Sequence, residues 1–408
     1  MVPPPTTEWV TTLDVAATVA GTTAVNGNVW ACGSQNSSRS AQCSVVQATG
    51  GAFVTKYTFP WESVTSVLVI SDTTNAVIGG RRTDRQTGVV TSSAANCLFG
   101  TERITCAAMN FQGVSFVGAA YVPFTDQLMY ISTYTGQPSV TILDSAISTA
   151  VAYTYSVSAM QSTTLYTVHS VANFIGSFVG AVSVSSASVN FIVSGWVRAD
   201  TGAMNLMYLT PITGNVVSKG SEGLVTCMTV ESTGPDSFMA GGLRLNDNTG
   251  TNAYLVRSNA LYKTVLYAVR YRQTSSSRRR LATSSTTVRT IARGIVLAGD
   301  YVYLILDNTR STSTSNVTML SVIKSDASSG VIVSQAHVSA PSAQSLKCTD
   351  ITSTTIGSVT NLYIACGVYS ALSTQYIVLA SDTLLTFARM PKNFVRTVDA
   401  QFYTQNVG

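Results

Sequence analysis

Ser44-Val-Val-Gln-Ala-Thr-Gly-Gly-Ala-Phe-Val54 reads as one β-hairpin: an alternating apolar run, a Thr-Gly-Gly turn and a second run. The pattern returns in Asn205-Leu-Met-Tyr-Leu-Thr-Pro-Ile-Thr-Gly-Asn-Val-Val217. It returns again in Thr318-Met-Leu-Ser-Val-Ile-Lys-Ser-Asp-Ala-Ser-Ser-Gly-Val-Ile-Val333. Weaker copies cover residues 140–155, 253–267 and 375–389, and residues 94–106 fall where a seventh copy belongs. The units recur at roughly 50-residue spacing, and repetition at a fixed period decides the architecture before any local motif does.

Working outward, each hairpin follows a strand that ends on small residues or glycine. These ends are Trp30-Ala-Cys-Gly33, Val77-Ile-Gly-Gly80, Tyr130-Ile-Ser-Thr133, Val193-Ser-Gly195, Met239-Ala-Gly-Gly242, Tyr303-Leu-Ile-Leu306 and Ile364-Ala-Cys-Gly367. Glycine there lets neighbouring backbone approach closely. A further strand precedes each end, at 13–19, 64–70, 115–122, 177–184, 224–230, 288–297 and 345–352. No such unit can bury both of its faces alone, whereas units stacked in a ring bury one another. The expectation is an all-β chain: a seven-bladed β-propeller of four-stranded antiparallel blades, with strand-like terminal arms. A strand-like piece at 164–173 keeps a count of eight open. The domain boundaries are an extended arm at 1–12, the propeller at 13–391 and a C-terminal strand or tail at 392–408. One arm is expected to close the ring, leaving the other surplus.

Composition agrees with this reading. Only 11% of the 408 residues are charged and 45% are hydrophobic, which excludes a disordered chain. Val and Thr, both β-branched, abound, and helical periodicity is nearly absent. No apolar stretch is long enough for a membrane span; 292–306 comes nearest but contains Arg293 and Asp300. The net charge of +5 gives no sign of a nucleic-acid partner. The one dense basic run, Arg278-Arg279-Arg280, sits among Ser and Thr and reads as an exposed loop. A contact with an anionic glycan or an acidic partner is the alternative for it.

Seven cysteines carry compartment information. Cys32 ends one strand and Cys43 begins the next, Cys97 and Cys106 flank a turn at 98–103, and Cys348 and Cys366 lie on consecutive strands. Each pair can face across neighbouring strands at disulfide reach. Three such staples point to an oxidising compartment and leave Cys227 unpaired, as a buried thiol rather than an intermolecular bridge. The sequons at Asn36 and Asn316 point to secretion, whereas the opening Met1-Val-Pro-Pro-Pro lacks a signal-peptide pattern.

The strand ends carrying the glycine doublets Gly79-Gly80 and Gly241-Gly242, and the end at Gly195, precede Asp-, Thr- and Gly-rich turns at 84–88, Asp247-Asn-Thr-Gly250 and Asp200-Thr-Gly202. In these features residues 10–391 resemble the kelch-like and related multi-bladed propeller superfamily. The resemblance is one of fold. The Tyr/Trp pair that follows the doublet in kelch repeats is missing, as is the Gly-His…Trp-Asp signature of WD40 repeats. Sialidase boxes are absent; the nearest string, Ser325-Asp-Ala-Ser-Ser-Gly330, lacks their spacing and Trp. Four Trp are too few for the docking motifs of quinone dehydrogenases. Such folds host many functions.

Chemistry is sparse. The acidic turns cap themselves and do not match a calcium loop. With no Cys-x-x-Cys pair and only His169 and His337, no metal site is expected, and no cofactor motif occurs. Both histidines sit in strand-like alternation. Glu62, Asp72, Asp126, Glu231 and Asp236 could reach a propeller face, but no spacing selects two of them for glycoside chemistry. The expectation is no catalytic residue and an extracellular or cell-surface structural protein. It would be a self-assembling subunit of a filament, wall or appendage joined by terminal-arm strand addition. The alternatives are a monomeric secreted propeller recognising glycan or protein, and a glycan-active enzyme.

Overall fold

In the stretch Tyr301–Ser311, Val302, Leu304 and Leu306 face one side and Tyr303 and Ile305 the other, and all five are buried. The first set belongs to one apolar cluster and the second to another. A strand buried on both sides needs a sheet packed against each face, and the whole chain is organised to supply one.

The computed structural model describes residues 8–13, 17–25, 27–35, 40–69, 75–99, 104–122, 127–134, 137–144, 147, 150–154, 174–184, 189–198, 204–209, 223–230, 236–244, 250–259, 264–273, 287–311, 316–340, 344–356, 359–370, 374–386, 394–396 and 402–406. Strand β1 is Trp9–Thr12. The first sheet holds β2 (Ala17–Val25), β3 (Asn28–Gln35), β4 (Ser40–Gln47) and β5 (Phe53–Phe59). The second holds β6 (Ser63–Val69), β7 (Asn75–Thr83), β8 (Val90–Phe99) and β9 (Ile104–Gln112). The third holds β10 (Val114–Val122), β11 (Gln127–Tyr134), β12 (Gln137–Asp144) and β13 (Ala150–Thr154). The fourth holds β14 (Phe174–Val184), β15 (Val189–Arg198) and β16 (Met204–Leu209).

The fifth sheet holds β17 (Gly223–Val230), β18 (Asp236–Arg244), β19 (Gly250–Asn259) and β20 (Thr264–Gln273). The sixth holds β21 (Thr287–Ala298), β22 (Tyr301–Ser311), β23 (Asn316–Asp326) and β24 (Ile332–Ser339). A short parallel bridge, Gly250 to Val288 and Thr251 to Arg289, joins these two. The last sheet holds β25 (Ser345–Ile356), β26 (Val359–Tyr369) and β27 (Thr374–Asp382). Two C-terminal strands, β28 (Val395–Arg396) and β29 (Phe402–Asn406), complete the chain.

Within each sheet consecutive strands pair antiparallel. The leading strands then meet in a cycle: β2 with β6, β6 with β10, β10 with β14, β14 with β17, β17 with β21, β21 with β25, and β25 with β2. A closed cycle of inner strands with antiparallel sheets radiating from it is a β-propeller.

The ring closes through the N-terminus. β1 pairs antiparallel with β27, Trp9 opposite Ala380 and Thr12 opposite Ile377, and so becomes the outer strand of the last sheet. Residues 9–12 are thus part of a sheet. The first inner strand is β2 at 17–25 rather than 13–19, because the N-terminal alternating stretch contains two strands, not one. The piece at 164–173 lies outside the described residues. β1 occupies the outer edge of β27, so the chain beyond Asp382 finds that edge filled. Its C-terminal strands pair elsewhere, β28 with β24 and β29 with β20.

One device recurs at the seams between sheets. The carbonyl one residue past the third strand accepts hydrogen bonds from the preceding sheet. Ala48 O receives Trp9 Nε1 at 3.0 Å and Tyr363 OH at 3.3 Å. Ala327 O receives Arg257 Nη1 at 2.9 Å and Tyr267 OH at 3.2 Å. Thr383 O receives Tyr303 OH at 3.4 Å. These donors are aromatic or guanidinium groups whose stems lie in the apolar seam and whose polar tips need a partner when buried.

Candidate functional site

The sulfurs of Cys32 and Cys43, of Cys97 and Cys106, and of Cys348 and Cys366 are bonded. Cys32 stands opposite Cys43 across β3 and β4, Cys97 opposite Cys106 across β8 and β9, and Cys348 opposite Cys366 across β25 and β26. The three bonds sit in the first, second and last sheets, contiguous around the N-terminal seam. Cys227, on β17, is in no disulfide; its half-buried thiol donates to Ala240 O at 3.8 Å. Asn316 is exposed at the start of β23. Asn36, Arg278, Arg279, Arg280, His169, Asp72, Asp126 and Glu231 lie outside the described residues.

A groove of about 490 Å³ opens between the first and second sheets. The link Pro60-Trp61-Glu62 and the turn around Asp84 form its walls. Phe59 and Trp61 stack face to face at 4.4 Å and sit almost fully buried beneath it. Gly80 makes this possible, because any side chain there would run into the Trp61 ring. Glu62 accepts the Thr83 amide at 3.2 Å, which ties the link to the turn. Arg82 and Arg85 are exposed at the mouth. Asp84 faces its own backbone: the Thr87 and Gln86 amides, each at 2.8 Å, hold its carboxyl below the ordinary carboxylate range. Gly88 closes the turn at φ +71°. The groove therefore offers two exposed guanidinium groups beside two carboxylates, Glu62 and Asp84, each engaged with backbone amides, above an aromatic floor that solvent scarcely reaches.

A second groove, of about 570 Å³, lies at the outer rim of the fifth and sixth sheets. It is lined by Val331–Gln335 residues of β24 and its turn and by Phe402, Tyr403, Thr404 and Asn406 of β29. The amide of Gln335 embraces Phe402: its Nε2 donates to Phe402 O at 3.0 Å and its Oε1 accepts Phe402 N at 2.8 Å. Ile332 N donates to Thr404 Oγ1 at 3.1 Å, and Arg270 Nε donates to Gln405 Oε1 at 3.0 Å. The Phe402 ring is buried in the apolar cluster shared by the two sheets.

The remaining sequence candidates are absorbed by structure. His337 is buried on β24, with Nδ1 2.9 Å from Ser321 Oγ and its ring beside Phe402. Asp236 is buried and bonded to Arg257 Nε at 2.6 Å, and Arg257 in turn keys the seam at Ala327. Glu62 and Asp236 do not share a groove. Sequence reading passed over Arg257, Arg270 and Gln335, since a polar residue in an alternating strand reads as a solvent-facing one. Among the described residues no cluster of three His, Cys, Asp or Glu could hold a metal, and no helix is long and apolar enough to cross a membrane.

No family model and no curated protein matches the chain. Solved propellers are similar to it in shape. U3-55K superposes with a TM-score of 0.47 at 10% identity, over 91% of this chain and 98% of that one. The WD40 repeats of RRP9 give 0.42 at 10% identity, over 91% and 97%. The Cps50 (Swd1) propeller of Myceliophteria thermophila gives 0.42 at 10% identity, over 91% and 99%. Kinship with kelch repeats in particular finds no support.

Proposed function

We propose that this chain is a non-catalytic extracellular structural protein: a seven-bladed propeller of four-stranded blades that assembles with itself by strand addition at blade rims. The cyclic order of inner-strand contacts supports the blade count. The observation that carries the assembly reading is the pairing of β29 along the outer edge of β20, in register from Val269–Asn406 to Gln273–Phe402. A blade rim of this protein accepts a further strand, and an open rim is a template for pairing with another chain. The three disulfides support an oxidising environment. The exposed Asn316 is a glycan acceptor in this reading. Low charge and abundant Ser and Thr suit a packed extracellular lattice. Negative-stain microscopy and light scattering of native material test the proposal: regular fibres or rings support it, and dispersed discs at 43.0 kDa overturn it.

The groove between the first and second sheets favours a second reading, a monomeric propeller recognising an acidic glycan or protein. Arg82 and Arg85 would pair the ligand's anionic groups. Binding on a glycan array that disappears in Arg85→Ala, with dispersed particles, would select this reading.

A further inference from the structure

The C-terminal strand is held by side chains as well as by its ladder. The side-chain recognition features among the described residues of the arm fall within Phe402–Asn406. Phe402 offers both backbone groups to Gln335 and a ring to the seam. Thr404 offers a hydroxyl to Ile332 N, and Gln405 one oxygen to both Arg270 and Arg272. Every receiving group lies on the fifth and sixth sheets. A ligand this short and self-contained fits whichever chain carries it.

We propose that this rim is a receptor for the Phe402–Asn406 segment of a second copy, so that chains link by donating their C-terminal strands. The inference rests on the assembly reading and names its contact. The tether permits it. Sixteen peptide steps separate Thr386, the last described residue after β27, from Phe402 (402 − 386 = 16). At full extension they span roughly 50–60 Å, more than twice the width of a four-stranded sheet. Among the described residues of that stretch, Val395 and Arg396 pair with the body, a two-residue ladder at Ser339 and Val338. The rim beside the seated arm is also incompletely covered: Val331, Val333 and Tyr403 are 50%, 53% and 42% exposed. The body of a donating neighbour would bury this strip. Head-to-tail donation of this kind gives an open chain of subunits.

Two full-length variants test it. Gln335→Ala with Arg270→Ala removes the receptor and keeps the arm. Phe402→Ala with Gln405→Ala removes the arm and keeps the receptor. Circular dichroism and thermal melts verify that both are folded. In sedimentation velocity the wild-type chain should show concentration-dependent association that each variant weakens by about 100-fold, the loss of two or more hydrogen bonds. Mixed in equal amounts, the two variants should form a 1:1 complex, because one sound arm then meets one sound receptor. A mixture that stays monomeric overturns the inference. Fibres formed equally well by the arm variant overturn it too, while leaving assembly itself intact. A 1:1 complex without wild-type fibres upholds the contact and overturns the fibre reading.

Discussion

Both ends of the chain add a strand to the outside of a sheet, and the two additions differ in kind. At the N-terminal seam, Trp9 and Leu13 are 7% and 6% exposed and belong to an apolar cluster that spans the last and first sheets. At the C-terminal rim, Phe402 is the buried anchor of an arm whose Tyr403 stands in solvent. The first addition completes a sheet that lacks its fourth strand. The second decorates two sheets that already have theirs. Closure and docking thus use the same backbone ladder, and side-chain burial separates them.

The largest test of that contrast is truncation of each anchor. Trp9→Ala removes the ring that fills the space beside Gly51 and the bond to Ala48 O. It should lower unfolding free energy by about 3–5 kcal/mol, because the ring cannot close without it. Phe402→Ala should lower it by only about 1–2 kcal/mol, since the arm can leave while the propeller stays folded. Urea titration of both variants measures this, and equal losses would erase the distinction.

A middle-sized effect comes from the disulfides, which among the described residues lie in the first, second and last sheets. Replacing Cys32 and Cys43 together by Ser should remove about 2–3 kcal/mol. Hydrogen exchange should then quicken in β3, β4 and β1. Strands β17 to β24, which carry no bridge, should exchange as before. Uniform quickening would show that the two regions unfold as one unit.

The smallest effect is electrostatic. Hydroxyl bonds from Ser328 and Ser329 hold the Asp326 carboxyl low, as backbone amides do for Asp84. Both therefore bind a proton less readily folded than unfolded. Their contribution is present above about pH 4 and is lost as pH falls through their folded values. Burial pushes Asp307 the other way, despite Arg293 at 3.0 Å. Its charged form weakens the fold, and acid relieves that penalty. Replacing Asp84 and Asp326 together by Asn should slightly flatten the fall in melting temperature between pH 5 and 3, while Asp307→Asn should slightly steepen it. Melting curves across that range read both signs.

What the sequence revealed follows the range of the interaction. Gly50, Gly88 and Gly330 adopt positive φ in tight turns, and each turn announces itself within five residues. The cysteines were legible because a cross-strand partner lies one hairpin away. The partner of β1 was not: Trp9 meets Ala380 across 371 residues (380 − 9 = 371), and nothing local marks the match. One trace of it was present. Gly50 and Gly51 both take positive φ, and at Gly51 any side chain would also run into Trp9 and Thr11. The Phe402 receptor left no such trace, because Gln335 and Arg270 look like ordinary outward residues of alternating strands.

Ring closure by β1 also orders events in time. During synthesis Trp9 emerges well before β27, and its resting place there does not exist until residue 380 has been made. At about 5–20 residues per second that is a wait of roughly 20–70 s. Throughout it, a Trp-bearing strand with unmet backbone groups is presented to whatever is nearby. Strand β1 must wait for the last sheet, so the interval in which a nascent chain can capture the wrong strand is set by the length of chain between β1 and β27.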